Sequence, residues 1–321
     1  MLTELGWDEA WAEVLREASP PAGSEPARVT AVHRGAVHVV GDDVDAQVPF
    51  AGTLWAQPAV GDWAIYDGDR VSDILPRRTE LAREDSVLAA NVDLGIVVAS
   101  CHEKLNVRRL ERFIALFTGG GIEPLVILTK GDLSPDPEGE SARAREQIGA
   151  DVLVVSAKGG WGVEEVRARL LPRRTAVLMG MSGVGKSTLL NTLLGEERQH
   201  TLPVRERDGT GRQATVHREL FTLSDGALLI DTPGVRRPGL ASAEGVDETF
   251  ADIEELARSC KFSDCRHENE PGCAVRGIVG EERLASWRKL GREGWDAATR
   301  KAHQRQGQRQ YNEVRRKEPW P

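Results

Sequence analysis

The apolar and polar positions of this 321-residue chain fall into three successive patterns. The opening stretch, MLTELGWDEAWAEVLREA, carries apolar residues at helical spacing and predicts a helix over residues 5–18. A Pro/Gly/Ser linker, SPPAGSEPA, ends it. Five short strand-like runs follow, RVTAVH, AVHVV, DAQVPF, DWAIY and RVSDIL, divided by the turn signals HRG, GDD and YDGD. Five strands in about fifty residues predict a small barrel of the OB-like kind.

From about residue 85 to 235 the period changes. LGIVVAS, PLVILTK, DVLVVSA, TAVLMG and ALLIDT are apolar runs of strand length, and RRLERFIALFTGGG is a helix with a glycine stop. Buried strands alternating with helices predict a mainly parallel sheet covered by helices. Past Gly239 the chain turns helical and then strongly polar. The expected architecture is multidomain α/β. A helix and OB-like β-barrel take residues 1–82, a nucleotide-binding α/β domain 83–242, and a helical domain with a basic tail 243–321. No repeat of solenoid period is present.

Composition narrows the function. Hydrophobic residues make up 40%, enough for packed cores. No apolar run nears the length of a membrane span, and the acidic, amphipathic start is unlike a secretion signal, so a cytoplasmic monomer without membrane contact is expected. A net charge of −8 excludes a generic nucleic-acid binder, but the charge is uneven. Residues 1–75 hold thirteen acids and four bases, whereas from Glu281 onward there are eleven bases and six acids. Nucleic-acid contact is therefore expected mainly of the tail, where Trp287, Trp295 and Tyr311 interleave with arginines. For the barrel, a docking module and a nucleic-acid binder both remain open.

The stretch GMSGVGKST carries the most specific chemistry. Gly180, Gly185, Lys186 and Ser187 fit G-x-x-x-x-G-K-[ST], with Met181, Ser182, Gly183 and Val184 inside the loop and Thr188 after it. TAVLMG precedes it as a strand and KSTLLNTLLG follows as a helix, the setting in which backbone N–H groups turn toward phosphate oxygens. Lys186 is expected on the β- and γ-phosphates and Ser187 on Mg²⁺. Asp231 opens DTPG 45 residues after Lys186, where its carboxylate would hold the magnesium and Gly234 would face the γ-phosphate. LTKGDL and SAK each follow a predicted strand. Guanine offers N1–H and a 2-amino group together, a pair that Asp132 can accept; Lys130 and Gly131 would line the base, and the Ala157 N–H, between Ser156 and Lys158, would meet its oxygen. Three of the eight lysines fall in these motifs. The guanine pair precedes the P-loop and DTPG follows it, which is the order of a circularly permuted GTPase.

Cys260, Cys265, His267 and Cys273 give C-x4-C-x-H-x5-C, a ligand set suited to one closed, structural zinc ion. Cys101 stands apart and is expected to be buried.

Taken together, the barrel start, NVDLGIVVAS, LTKGDL, SAK, GMSGVGKST, GTGRQATVHREL, DTPGVR and the cysteine cluster resemble the RsgA family, bacterial GTPases of the YjeQ/YloQ type dependent on the small ribosomal subunit. The resemblance covers nearly the whole chain. It implies GTP and GDP as ligands, with the 30S subunit and its 16S rRNA as partners in late maturation. It places Thr215 as the switch threonine that closes on magnesium and γ-phosphate. The family's G-R-H-T-T-T stretch reads GRQATV here, so Gln213 replaces the histidine implicated in hydrolysis. Val235 stands where many GTPases have a water-orienting glutamine, which leaves Gln213 or His217 to orient the water. Guanine boxes commonly begin with asparagine, and Thr129 lacks that amide. Two alternatives stand beside this one: a GTP-dependent RNA-binding switch acting mainly by binding, and a metabolite kinase, which the guanine box and DTPG disfavour.

Overall fold

A computed structural model of the chain describes residues 1–83, 86–195, 218–232, 240 and 244–295. The segment predicted as one helix over 5–18 divides in two. A 3-10 turn, Leu2–Leu5, stops at Gly6, whose φ of 90° suits a residue without a Cβ. Helix α1 (Glu9–Ala18) starts afresh on Asp8, whose carboxylate accepts the Trp11 N–H at 2.8 Å as an N-cap.

Strands β1 (Glu25–His33), β2 (Ala36–Val40), β3 (Asp45–Pro49), β4 (Trp63–Tyr66) and β5 (Val71–Ile74) follow. The five predicted strands are all present. β1 begins three residues earlier than expected, because Glu25, Pro26 and Ala27, read as linker, pair with β4. β1 pairs with both β2 and β4, and β2 with β3 and β4 with β5, all antiparallel. A parallel bridge between Phe50 and Val71 brings the end of β3 back to β5, closing a ring of five strands. Val29, Val37, Val39, Val48, Val71 and Ile74 fill its interior.

A hairpin that the sequence pattern did not predict, β6 (Glu80–Arg83) with β7 (Ser86–Ala90), leads into the second unit. That unit runs β8 (Leu94–Ser100), α2 (Val107–Thr118), β9 (Glu123–Thr129), α3 (Pro137–Ile148), β10 (Asp151–Val154), α4 (Val163–Arg169), β11 (Thr175–Gly180), α5 (Lys186–Leu194), β12 (Glu219–Thr222) and β13 (Leu228–Asp231). Its sheet order is β10-β9-β8-β11-β13-β12, parallel except for β12. Adjacent residues of one strand enter opposite cores, as a two-residue side-chain period requires. Val97 packs with Phe113 and Phe117 of α2, while Ile96 and Val98 pack with Val166 of α4 and Leu189 of α5. Phe117 lies so close to the sheet that a Cβ on Gly95 would come within 2.5 Å of its ring. The glycine in LGIVVAS is thus a packing requirement.

The chain enters this sheet at β8, builds outward to β10, then returns to β11 on the other side of β8. Strand order reverses there, and loops beyond the carboxyl ends diverge at that point. The barrel adjoins the other edge through a pairing of Ala31 in β1 with Glu219 in β12. Arg28, only 2% exposed, ties the two units: it donates to the Leu5 carbonyl, the Asn91 carbonyl and the Thr175 hydroxyl, and stacks on Trp63. Burial pulls its guanidinium down to about 10 against the countering charges of Asp93 and Asp62.

The C-terminal region carries α6 (Glu244–Thr249), α7 (Ala251–Ala257), the cysteine-bearing loop and helix α8 over residues 281–295. No helix among the described residues is long and apolar enough to cross a membrane.

Candidate functional site

β9, β10, β11 and β13 run parallel, so the loops after Thr129, Val154, Gly180 and Asp231 open at one edge of the sheet. The loop after β11 is shaped by glycines. Gly180 has φ 149° and a Cβ there would clash with the Val98 carbonyl; Gly183 and Gly185 have φ 82° and 98°. Gly185 is the N-cap of α5, so the first-turn N–H groups of Lys186, Ser187 and Thr188 have no partner within the helix. Lys186 curls over the loop and its ammonium donates to the carbonyls of Gly180 at 2.9 Å and Met181 at 2.8 Å. Burial lowers the Lys186 pKa, and the charge of Asp231 opposes that shift. Val184 is buried beneath the loop as its apolar anchor. Thr232, next to Asp231, donates its hydroxyl to the Leu178 carbonyl at 2.6 Å and fixes the end of β13 against β11.

The two halves of the predicted guanine box meet beside this loop. Lys130 takes the left-handed conformation at φ 57° and opens a 3-10 turn, Gly131–Leu133. The Gly131 N–H donates to the Val155 carbonyl at 3.0 Å. Asp132 is exposed, and its Oδ1 accepts the hydroxyl of buried Ser156 at 2.5 Å. Ser156 Oγ in turn accepts the Gly159 N–H at 2.9 Å, which folds Ala157 and Lys158 into the turn. Thr129 is 2% exposed, and its hydroxyl faces the Ala99 carbonyl at 3.0 Å and the Val184 carbonyl of the P-loop. That link between box and P-loop was not foreseen from sequence.

Thr129, Lys130, Gly131, Asp132, Ser156, Ala157, Lys158, the loop from Gly180 to Thr188, and Asp231 are therefore gathered at one edge. Gln213, Thr215, His217, Gly234 and Val235 lie outside the described residues. Two contributors escaped the sequence reading: Trp161, packed on the guanine box, and Thr232, whose only signal was its place after Asp231.

In the C-terminal loop, the ligand atoms of Cys260, Cys265, His267 and Cys273 all lie within 4.8 Å of one another. His267 Nδ1 is 3.6 Å from Cys260 Sγ and 3.4 Å from Cys273 Sγ. The backbone supports the sulfurs: the Ala274 N–H reaches Cys260 at 3.3 Å and the Arg276 N–H reaches Cys273 at 3.4 Å. Burial would raise the Cys273 thiol, but the Arg276 N–H and the His267 ring outweigh it and bring it down to about 6. Three sulfurs and one imidazole at this spacing fit a closed metal site. His267 is 3% exposed, rests against Trp287 and gives its carbonyl to Arg288. Glu270 accepts the backbone N–H groups of Arg266, Glu268 and Asn269 and so bridges the chain between ligands. Cys101 is half-buried away from this cluster, and desolvation with Glu140 nearby pushes its thiol up to about 11.

A family model described as RsgA GTPase matches residues 74–241. The small ribosomal subunit biogenesis GTPase RsgA of Streptomyces coelicolor is 43% identical, covering 91% of this chain and 86% of its own. The protein of the same name from Xylella fastidiosa is 39% identical over 94% of this chain and 98% of its own. The crystal structure of YloQ, a circularly permuted GTPase, superimposes with a TM-score of 0.60 at 26% identity, covering 86% of this chain and 96% of that one. The P-loop lying between base box and Asp231 in chain order, and these matches over most of the chain, place this protein in the RsgA family of circularly permuted GTPases.

Proposed function

We propose that this protein binds GTP with Mg²⁺ at the shared sheet edge, hydrolyses it to GDP and phosphate, and serves late maturation of the small ribosomal subunit. The observation that carries it is the convergence of P-loop, Asp231 and guanine box at one edge. The names of the relatives support the ribosomal part. Asp132 accepts the two guanine donors, Lys130 lies along the base, and the Ala157 N–H meets the guanine oxygen. The free N–H groups at the start of α5 cradle the phosphates, and Lys186 moves from the Gly180 and Met181 carbonyls onto the β- and γ-phosphates. Ser187, Thr215 and Asp231 would hold magnesium, which neutralises charge on the transferring phosphoryl group. Gln213 orients the attacking water, and Gly234 donates to the γ-phosphate.

Cys260, Cys265, His267 and Cys273 would hold zinc as a structural ion, since four protein ligands suit a closed site. The protein acts as a cytoplasmic monomer. It docks on the 30S subunit against 16S rRNA, the basic tail supplying phosphate contacts, and the subunit stimulates hydrolysis. GTP turnover with and without purified 30S subunits tests this: stimulation of at least about tenfold is expected, from ordering of catalytic residues by the partner. Equal turnover in both would overturn ribosome-dependent hydrolysis. Tight GTP-dependent 30S binding without stimulation would leave a binding switch in its place.

A further inference from the structure

Trp161 is 40% exposed and stands at the nucleotide edge of the sheet. The turn that follows Ser156 contains three glycines, Gly159, Gly160 and Gly162, the last two at φ 72° and 75°. It folds back so that the Ser156 N–H donates to the Trp161 carbonyl at 3.0 Å. The indole then reaches across to the other half of the guanine box. A Cβ on Gly131 would collide with Trp161 Cη2, and would lie 2.9 Å from Cζ2 and 2.8 Å from Val154 Cγ1. On its near side, a Cβ on Gly159 would lie 3.1 Å from Trp161 Cδ1. One ring thus touches both turns, and Asp132 is joined to the second turn by the 2.5 Å bond from Ser156.

We propose that Trp161 is a positioning residue for guanine recognition, wedging the Gly131 and Gly159 turns together so that Asp132 is aimed at the base. This rests on Asp132 as the guanine acceptor. The Gly131–Leu133 turn is one short 3-10 segment after a left-handed Lys130, tied by the Gly131 N–H to the Val155 carbonyl at 3.0 Å, and its outer face is left for a side chain to cover. The indole covers Gly131 from outside while Val154 supports it from within. Accepting N1–H and the 2-amino group together requires both carboxylate oxygens near the plane of the base. A small rotation of the turn therefore harms guanine more than hypoxanthine, which has no 2-amino group.

The kinetic test compares GTP with ITP. Trp161→Ala should raise the KM for GTP on the order of three- to tenfold, with kcat falling less than about twofold, and should shrink the preference for GTP over ITP by a similar factor. A Trp161 that merely supports the fold would reduce the amount of active enzyme and leave KM and the GTP/ITP ratio intact; that result overturns the proposal. Trp161→Phe gives a second readout that does not depend on survival of the alanine variant. The chain has eight tryptophans, so the difference in fluorescence between wild type and Trp161→Phe isolates this one. Addition of GDP should change that difference signal, and its constancy overturns the proposal. Asp132→Asn run in parallel separates the two levels. If that variant keeps its preference for GTP, the assignment of the base box is wrong; if it loses the preference while Trp161→Ala behaves as wild type, only the role of Trp161 is wrong.

Discussion

Thr129 occupies the position where guanine boxes commonly carry asparagine, and without that amide guanine selectivity is expected to rest more heavily on Asp132. Its side chain instead faces inward, with the hydroxyl at the Ala99 and Val184 carbonyls, so the residue braces the P-loop against β8 and β9. Thr129→Val keeps the shape and removes the hydroxyl proton, which serves one of the two carbonyls at a time. Leaving the buried Val184 carbonyl without it should cost about 1–3 kcal/mol in urea unfolding. Affinity for GTP should fall because Val184 belongs to the phosphate loop, yet the GTP/ITP ratio should stay constant, opposite to the effect expected at Trp161. A changed ratio would return Thr129 to base recognition. The P-loop was legible from sequence because glycines at fixed spacing set its backbone locally. The task of Thr129 was not, since its partner Val184 is 55 residues away and only the folded sheet brings them together.

The same contrast holds for whole elements. Strand runs in the sheet were readable because apolar stretches of β-branched residues and leucine between turn signals leave few alternatives. The hairpin of β6 and β7 was not, being formed by ELAR and SVLAA, which lack a clean two-residue alternation. In the metal loop, the ligands declared themselves by residue type, whereas Glu270 read as one more surface acid. The Arg266 N–H first, then its own N–H and those of Glu268 and Asn269, hold its carboxylate down at about 2. A carboxylate lowered in the folded state contributes fully above its ordinary pKa near 4.5 and loses that contribution as pH falls toward 2. Between neutrality and about pH 5 its clamp on the loop is therefore constant, and metal lost over that range reports protonation of the ligands themselves. In the zinc-loaded protein, Glu270→Gln at neutral pH should speed release of the ion to a chelator by about tenfold, as loss of a supporting contact typically does. Release at the wild-type rate would show that the ligands alone shape the loop.

At the scale of the molecule, circular permutation decides what each end of the nucleotide domain is joined to. Residues 196–217 run from the P-loop helix to β12, the strand that adjoins β1 of the barrel, and residues 233–243 run from the end of β13 to α6 with the cysteine cluster beyond. Both covalent exits from the nucleotide site thus lead to a flanking unit. The C-terminal unit is fastened back by Arg283 of α8, which donates to Glu111 of α2 at 2.9 Å, to Asp252 of α7 at 2.7 Å and to the Gln147 and Thr249 carbonyls, and stacks on Phe250. Glu111 is fully buried, and desolvation raises its pKa despite Ser286 and Arg283 acting to lower it. Arg283→Ala would leave that carboxylate buried without its cation, which should cost about 3 kcal/mol or more at neutral pH. The sign of the pH dependence follows from the raised pKa. An acid held above its unfolded value destabilises the fold when ionised, and the penalty is relieved as pH falls and the carboxyl takes up a proton. Thermal unfolding of Arg283→Ala should therefore recover toward wild type as the pH is lowered from neutrality, and Glu111→Gln in the same chain should abolish both the recovery and most of the initial loss. A pH-independent deficit that Glu111→Gln fails to relieve would mean that Arg283 acts through its packing on Phe250 and its bond to Asp252, and that Glu111 is not what joins the cysteine-bearing region to the nucleotide domain.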